Sequence, residues 1–317
     1  MRFAAGLGLA ALLALMLVSL GVGAAEISVR QARSDAWTML VLMESRLPRT
    51  LAVALAGAAL AVSGTLIQSL VRNRFVGPDT TGTSESAALG LLAVTILAPA
   101  SPIWVKMVAA SFAAMAGTAL FIVVIRRLPR REVMLVPIAG LVLSGVLGSI
   151  VTWIAWQADL LQYVGVWMSG EFSGVTAGRY ELLWVAGLAA GLAWVGADRF
   201  AILSLGDGVA TGLGLSTASV MRFGLVVVAV VSALVVTTVG MVPFLGLVVP
   251  NIVARVMGDN LRASLPVVAA SGAGLLLACD IIGRLLIAPY EMPVSVILGV
   301  LGALIFLVLL YRRPAHA

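Results

Sequence analysis

Ionisable chemistry is scarce in this 317-residue chain. Only 11% of residues are charged, against roughly a quarter in an ordinary soluble domain. There is a single Cys, Cys279, which excludes an intrachain disulfide and a cysteine-built metal cage. The one His, His316, lies next to the C-terminus, so no Ser/His or Cys/His pair forms without that tail. The one Lys, Lys106, follows Ser101-Pro102-Ile103-Trp104-Val105, with none of the glycines that let a P-loop Lys reach a nucleotide's phosphates. These shortages oppose a zinc hydrolase, an intramembrane Ser–His protease and a nucleotide-hydrolysing chain.

What fills the chain is hydrocarbon. Hydrophobic residues make up 62% of the sequence, and the mean hydropathy is +1.13. At about 20 residues per crossing, that content supplies about ten membrane spans. Apolar runs lie near 3–25, 50–70, 84–98, 102–125, 133–156, 180–197, 222–240, 242–257, 265–287 and 293–311. The first ends in Gly23-Ala24-Ala25 and so resembles a secretory signal. A signal core is usually only 7–15 residues long, and this longer run is read as a retained helix. Runs 84–98 and 242–257 are short and carry Gly or Pro, as expected of segments that cross only part of a bilayer inside protein. The expected fold is all-α: a polytopic membrane protein of about ten helices forming one domain over 1–317.

The formal net charge of +6 comes from 19 Arg, one Lys and 14 acidic residues. The basic residues cluster between apolar runs, which points to membrane topology rather than nucleic acid. With the N-terminus inside, 13 of the 20 basic residues fall in inner loops and tails, and Arg126-Arg127-Leu128-Pro129-Arg130-Arg131 is the strongest anchor. Both termini are therefore expected in the cytoplasm, and the loop from about 24 to 49 outside. Trp153, Trp156 and Trp167 flank one end of the fifth span, as interfacial anchors do.

Three stretches carry recognition. The first runs from Arg46-Leu47-Pro48-Arg49 through Gly57, Ser63 and Gly64 to Asn73-Arg74-Phe75-Val76-Gly77-Pro78. The second is Leu205-Gly206-Asp207-Gly208-Val209-Ala210-Thr211-Gly212-Leu213-Gly214-Leu215. The third begins at Pro243-Phe244-Leu245-Gly246-Leu247-Val248-Val249-Pro250-Asn251 and continues to Asp280, Arg284, Glu291 and Pro293. Within the second, Leu205, Val209 and Leu213 recur every four residues, the spacing of one helix face, and Ser204 reads as an N-cap. Asp280 and Arg284 stand four apart on one face, a spacing that lets them pair within a membrane.

Taken in order, these stretches resemble the FecCD-type permeases of ABC importers for ferric siderophores, haem and cobalamin. The resemblance covers the chain after its first helix. It implies the type II importer permease fold, a bacterial inner-membrane location, and no enzymatic activity or cofactor in this chain. Implied partners are a second permease subunit (in this subgroup often a different chain, otherwise a second copy of this one), two cytoplasmic ATPases, a periplasmic or lipid-anchored binding protein, a ferric siderophore and membrane lipid. Arg46, Arg49 and Arg284 match residues that meet glutamates of the binding protein. Leu205, Gly206, Asp207, Gly208, Val209, Leu213 and Gly214, in the loop of about 198–222, match the segment that couples to the ATPase. Asn73, Phe75, Val133 and Met134 match a cytoplasmic gate. Many members have a His where Asn251 stands and paired Glu where Asp207-Gly208 stands. The Asn251 version is most similar to permeases for catecholate-type siderophores such as petrobactin or anguibactin. A secondary transporter is the rival reading, and it would need paired ionisable groups near the membrane midplane.

Overall fold

A computed structural model describes residues 2–23, 36–128, 134–258 and 260–311. Val133 of the expected gate lies outside the described residues. Among those described, regular structure is helical throughout. In chain order the helices are α1 (Arg2–Gly21), α2 (Ala36–Val41), α3 (Leu47–Val71), α4 (Thr83–Leu97), α5 (Ile103–Arg126), α6 (Leu135–Gln157) and α7 (Leu161–Met168). There follow α8 (Leu183–Val195), α9 (Ala197–Ser204), α10 (Asp207–Gly212), α11 (Thr217–Val239), α12 (Leu245–Met257), α13 (Leu261–Leu286) and α14 (Val294–Tyr311). Among the described residues six segments are long and apolar enough to cross a membrane. The α8–α9 pair, bent by 63°, adds a seventh, and three shorter apolar helices bring the apolar segments to the ten expected.

The second span starts much earlier than its apolar run. A π-helical turn over Leu42–Arg46 joins α2 directly to α3, so Arg46-Leu47-Pro48-Arg49 sits within a continuous helical segment rather than a loop. Pro48 has no N–H to bond back along this continuous segment, and the Glu44 carbonyl four residues earlier instead accepts the Ala177 N–H at 2.9 Å.

α3 is the central post, packed against α8, α11, α12 and α13. Its small residues explain how so many helices reach it. A Cβ on Gly57 would lie 2.6 Å from the Gly272 carbonyl oxygen of α13, and one on Gly64 only 1.8 Å from the Gly246 oxygen of α12. Without a hydrophobic effect between helices in lipid, such close backbone approach supplies the packing energy. Thr65 and Ser69 return their hydroxyls to the carbonyls of Ala61 and Thr65, at 3.2 and 2.9 Å, which hides polar atoms inside the bundle. α6 is the opposite case, with only 11% of its apolar window buried against 78% for the segment containing α3.

α4 and α12 are half-length crossings. At 15 and 13 residues they span about 22 and 20 Å, short of a hydrocarbon core about 30 Å thick. Their starting turns meet inside the protein. The Asp79 carboxylate accepts the Phe244 N–H at 2.8 Å, and a Cβ on Gly246 would lie 2.7 Å from the Pro78 ring. Irregular backbone at this depth is thus enclosed by protein and hydrogen-bonded.

Candidate functional site

The end of the bundle where α3 begins holds a buried charge cluster. Asp280 of α13 is wholly buried. Arg49 donates to its Oδ1 through Nε at 3.2 Å and Nη2 at 2.8 Å, while Arg284 pairs with Oδ2 one helical turn along. Arg49 also reaches Glu291, Nη1 to Oε2, at 2.7 Å. Two guanidiniums on one buried carboxylate would leave excess positive charge, and Glu291 offsets it.

The second half of this cluster is α1. Arg284 Nη1 donates to the carbonyls of Ser19 and Val22 at 2.9 and 2.8 Å, and its Nη2 to the Ser19 hydroxyl at 2.6 Å. Arg46 Nη1 donates to the carbonyls of Leu20 and Gly21 at 2.8 and 3.0 Å. The last carbonyls of a helix have no partners within it and carry the negative end of its dipole. The two arginines therefore cap α1 and tie it to α3 and α13. Sequence reasoning assigned Arg46, Arg49 and Arg284 alike to a docking surface. The structure separates them: Arg46 and Arg284 are only 6% and 7% exposed and are turned onto α1. Arg49, with its partner Glu291, lies nearest to solvent, at side-chain exposures of 12% and 28%. Ser19 went unseen, because a backbone-capping hydroxyl in an apolar run has no spacing signature.

The opposite end inverts this pattern. Leu205, Val209 and Leu213 are 65%, 49% and 65% exposed on a short protrusion made by α9 and α10. The regular face expected there is broken. Gly206, at φ +122°, interrupts the helix, so Leu205 ends α9 and only Val209 lies within α10. Gly206 is also the residue preceding α10, and the Ser204 hydroxyl instead donates to the Ala201 carbonyl at 2.6 Å. The expected Ser204 cap is replaced because a positive φ is open to Gly and strained for Ser. Gly214, at φ +78°, makes the return turn; Gly208 and Gly212 lie within the small helix, in open space. Asp207 pairs with Arg72, and Arg72 also donates to the Leu203 carbonyl at 3.2 Å. Arg72 is the residue on which α3 ends, in a left-handed conformation. The protrusion is thereby fastened to the foot of the central post.

Beside it lies a cleft of about 690 Å³ lined by Arg72, Asn73, Arg126, Val136, Asp207 and Met221 among others. Asn73 is buried and its side chain accepts the Phe75 N–H at 2.8 Å, a local turn. Phe75 meets Phe306 of α14 edge-on, with centroids 6.1 Å apart. Met134, before α6, is exposed. Asn251 of α12, which carries the likeness to catecholate-type permeases, also holds this turn in place. Its amide donates to the Arg74 and Leu247 carbonyls, both at 2.7 Å.

The comparisons with known proteins fall on this framework. The FecCD transport family matches residues 11–312. The chain belongs to the FecCD transport family. It is 42% identical to the petrobactin import system permease YclN of Bacillus subtilis over 277 residues, which is 87% of each chain. It is 38% identical to the petrobactin import system permease FatD of Bacillus anthracis, covering 94% of this chain and 90% of that one. The ferric-anguibactin transport system permease FatD of Vibrio anguillarum is also 38% identical, over 87% and 88% of the two chains. Among solved structures, a metal-chelate type ABC transporter in an inward-facing conformation superposes with a TM-score of 0.84 at 24% identity, over 98% of this chain and 99% of that one. The permease fold is therefore shared, and with its apolar helices this family member is a multi-pass membrane protein with a transport role.

Proposed function

We propose that this chain is the membrane-spanning subunit of an ATP-driven importer that takes up a ferric siderophore of the petrobactin or anguibactin class across the bacterial inner membrane. One contrast carries the reading. Identity is 38–42% to permeases named for petrobactin and anguibactin, and 30–34% to those named for citrate, hydroxamate or vitamin B12. The chelate satisfies its own iron, so the permease has to supply a pathway rather than ligands.

Both termini lie inside in this reading, with the charge cluster facing out and the leucine protrusion facing the cytoplasm. The path runs between this chain and a second permease subunit, a related but different chain. A binding protein docks outside through an acidic group that competes with Glu291 for Arg49. An Arg fork suits that exchange, because it holds a carboxylate by two parallel bonds. Arg46 and Arg284 act from behind, by fixing the helix ends around it.

Inside, two ATPase subunits grip Leu205, Val209 and Leu213 and their counterparts. Movement of that protrusion is passed through Asp207 and Arg72 to the foot of α3, and on to the turn at Asn73–Gly77. Phe75, with Met134 and Val133 opposite, then opens or closes the exit by sterics and dewetting.

The test is uptake of radioactive iron into proteoliposomes that hold the permease pair, its ATPase and its binding protein. Ferric petrobactin should enter only with internal ATP, at least tenfold faster than ferric hydroxamate, ferric citrate or cobalamin. Uptake driven by an ion gradient alone would sink the ATP-driven reading, and preferred uptake of cobalamin or a hydroxamate would sink the cargo.

A further inference from the structure

A cavity of about 630 Å³ opens where α5 begins and α11 ends, away from the leucine protrusion. Its floor is apolar, built from Met107, Trp167, Leu182, Val236 and Val239. Its mouth carries one cation and one anion, Arg179 and Glu171, both exposed. Among the described residues neither forms an ion pair, with the other or with any third group. Glu171 Oε1 accepts only the Ser173 hydroxyl.

The loop that presents these charges is ordered by its backbone. The Glu171 N–H reaches the Val239 carbonyl at 2.8 Å, and the Ala177 N–H reaches the Glu44 carbonyl at 2.9 Å. Phe172 and Val175 are sunk into the core at 1% and 3% exposure. The backbone that carries the two charges is thus held in place, and a ligand has to order only their exposed side chains. Around the cavity the surface is that of a membrane protein at headgroup level. Trp104 and Trp184 are exposed on neighbouring helices beside Ile103 and Val185, and tryptophans concentrate at that depth.

We propose that this cavity holds a zwitterionic phospholipid with a phosphoethanolamine headgroup. Its phosphate meets the Arg179 guanidinium and its ammonium donates to the Glu171 carboxylate, both charge-assisted bonds. An acyl chain fills the apolar floor. A choline headgroup has no N–H to give to Glu171, and a glycerol headgroup offers it only neutral hydroxyls, without the ammonium's charge and with a net negative charge left on the lipid. Lys106, next to the lining Met107 but not itself lining the cavity, adds the one nearby charge that would favour an anionic lipid. The inference goes beyond the transport reading and does not depend on its cargo.

Native mass spectrometry of the full chain, purified in detergent, tests it with phosphatidylethanolamine, phosphatidylglycerol and phosphatidylcholine of identical acyl chains. The ethanolamine lipid should be retained about tenfold more than either other lipid. Arg179→Gln should lower that retention about tenfold, and Glu171→Gln should erase the preference over phosphatidylglycerol. Both positions are exposed, and an unchanged unfolding temperature in lipid-free detergent shows that each variant folds. Equal retention of the three lipids, a preference for phosphatidylglycerol, or ethanolamine-lipid retention indifferent to both substitutions would each overturn the proposal.

Discussion

The two ends of this molecule break the ordinary rules of burial in opposite directions. Where α3 begins, the fold buries charge: Asp280 is inaccessible, with Arg49 and Arg284 closed around it. Where α3 ends, it exposes hydrocarbon on Leu205, Val209 and Leu213. A buried charge survives only when it is matched and hydrogen-bonded, and the first cluster meets that condition within this chain. An exposed apolar group beyond the span, next to charged Asp207, is not explained by lipid and points to something outside the chain. The same contrast separates fold from function here. The charged end pairs its charges internally, with Arg284 Nε its one buried nitrogen lacking a partner among the described residues, while the apolar end is incomplete.

The largest effect expected from breaking this contrast is at Asp280. Asp280→Ala leaves two guanidiniums facing each other in a buried site, and should cost about 3–5 kcal/mol. It would be read as a large drop in unfolding temperature or loss of monodisperse protein in detergent. Next is the contact that ties the central post to α12. Gly64→Val puts a side chain where the Gly246 carbonyl lies 1.8 Å from the first added carbon, and overpacking of this kind costs about 1–3 kcal/mol or more. A drop in unfolding temperature smaller than that of a conservative surface change would show that α12 shifts freely along α3. Ser19→Ala removes the hydroxyl shared by Thr50 and Arg284. It should cost about 1–3 kcal/mol through an unsatisfied buried donor, visible as faster amide exchange in the last turn of α1. The smallest stability effect belongs to the leucine protrusion. Replacing Leu205, Val209 and Leu213 together by Ser should change stability by no more than about 0.5 kcal/mol per residue, because these side chains touch little of their own chain.

Much of this contrast was legible before any coordinates. Ten apolar runs announce themselves because each carries the transfer energy of a whole crossing, and the short Gly/Pro-marked runs became the half-length α4 and α12. Asp280 and Arg284 paired because a four-residue spacing on a helix permits it. Arg46 and Arg284 are expected at a docking surface because an arginine at a span's end resembles any other. In the structure both also donate to α1 carbonyls, more than 20 residues away in sequence from Arg46 and more than 260 from Arg284, and backbone acceptors leave no mark on side-chain identity. The continuous helix from Ala36 was hidden for a related reason, since Glu44, Arg46 and Pro48 look like a loop until a π turn and buried partners accommodate them. Around Gly206 the four-residue leucine rhythm suggested one helix, and a single positive φ divided it.

In the proposed mechanism the ATPase seats on the exposed leucine segment and not on the buried charge cluster. The most direct test of this is the amount of ATPase that copurifies with an affinity-tagged permease complex, comparing wild type with the Leu205→Ser, Val209→Ser, Leu213→Ser triple variant. At least a tenfold loss of ATPase is expected, with the unfolding temperature of the permease nearly unchanged. Full retention of the ATPase by a folded triple variant would contradict it.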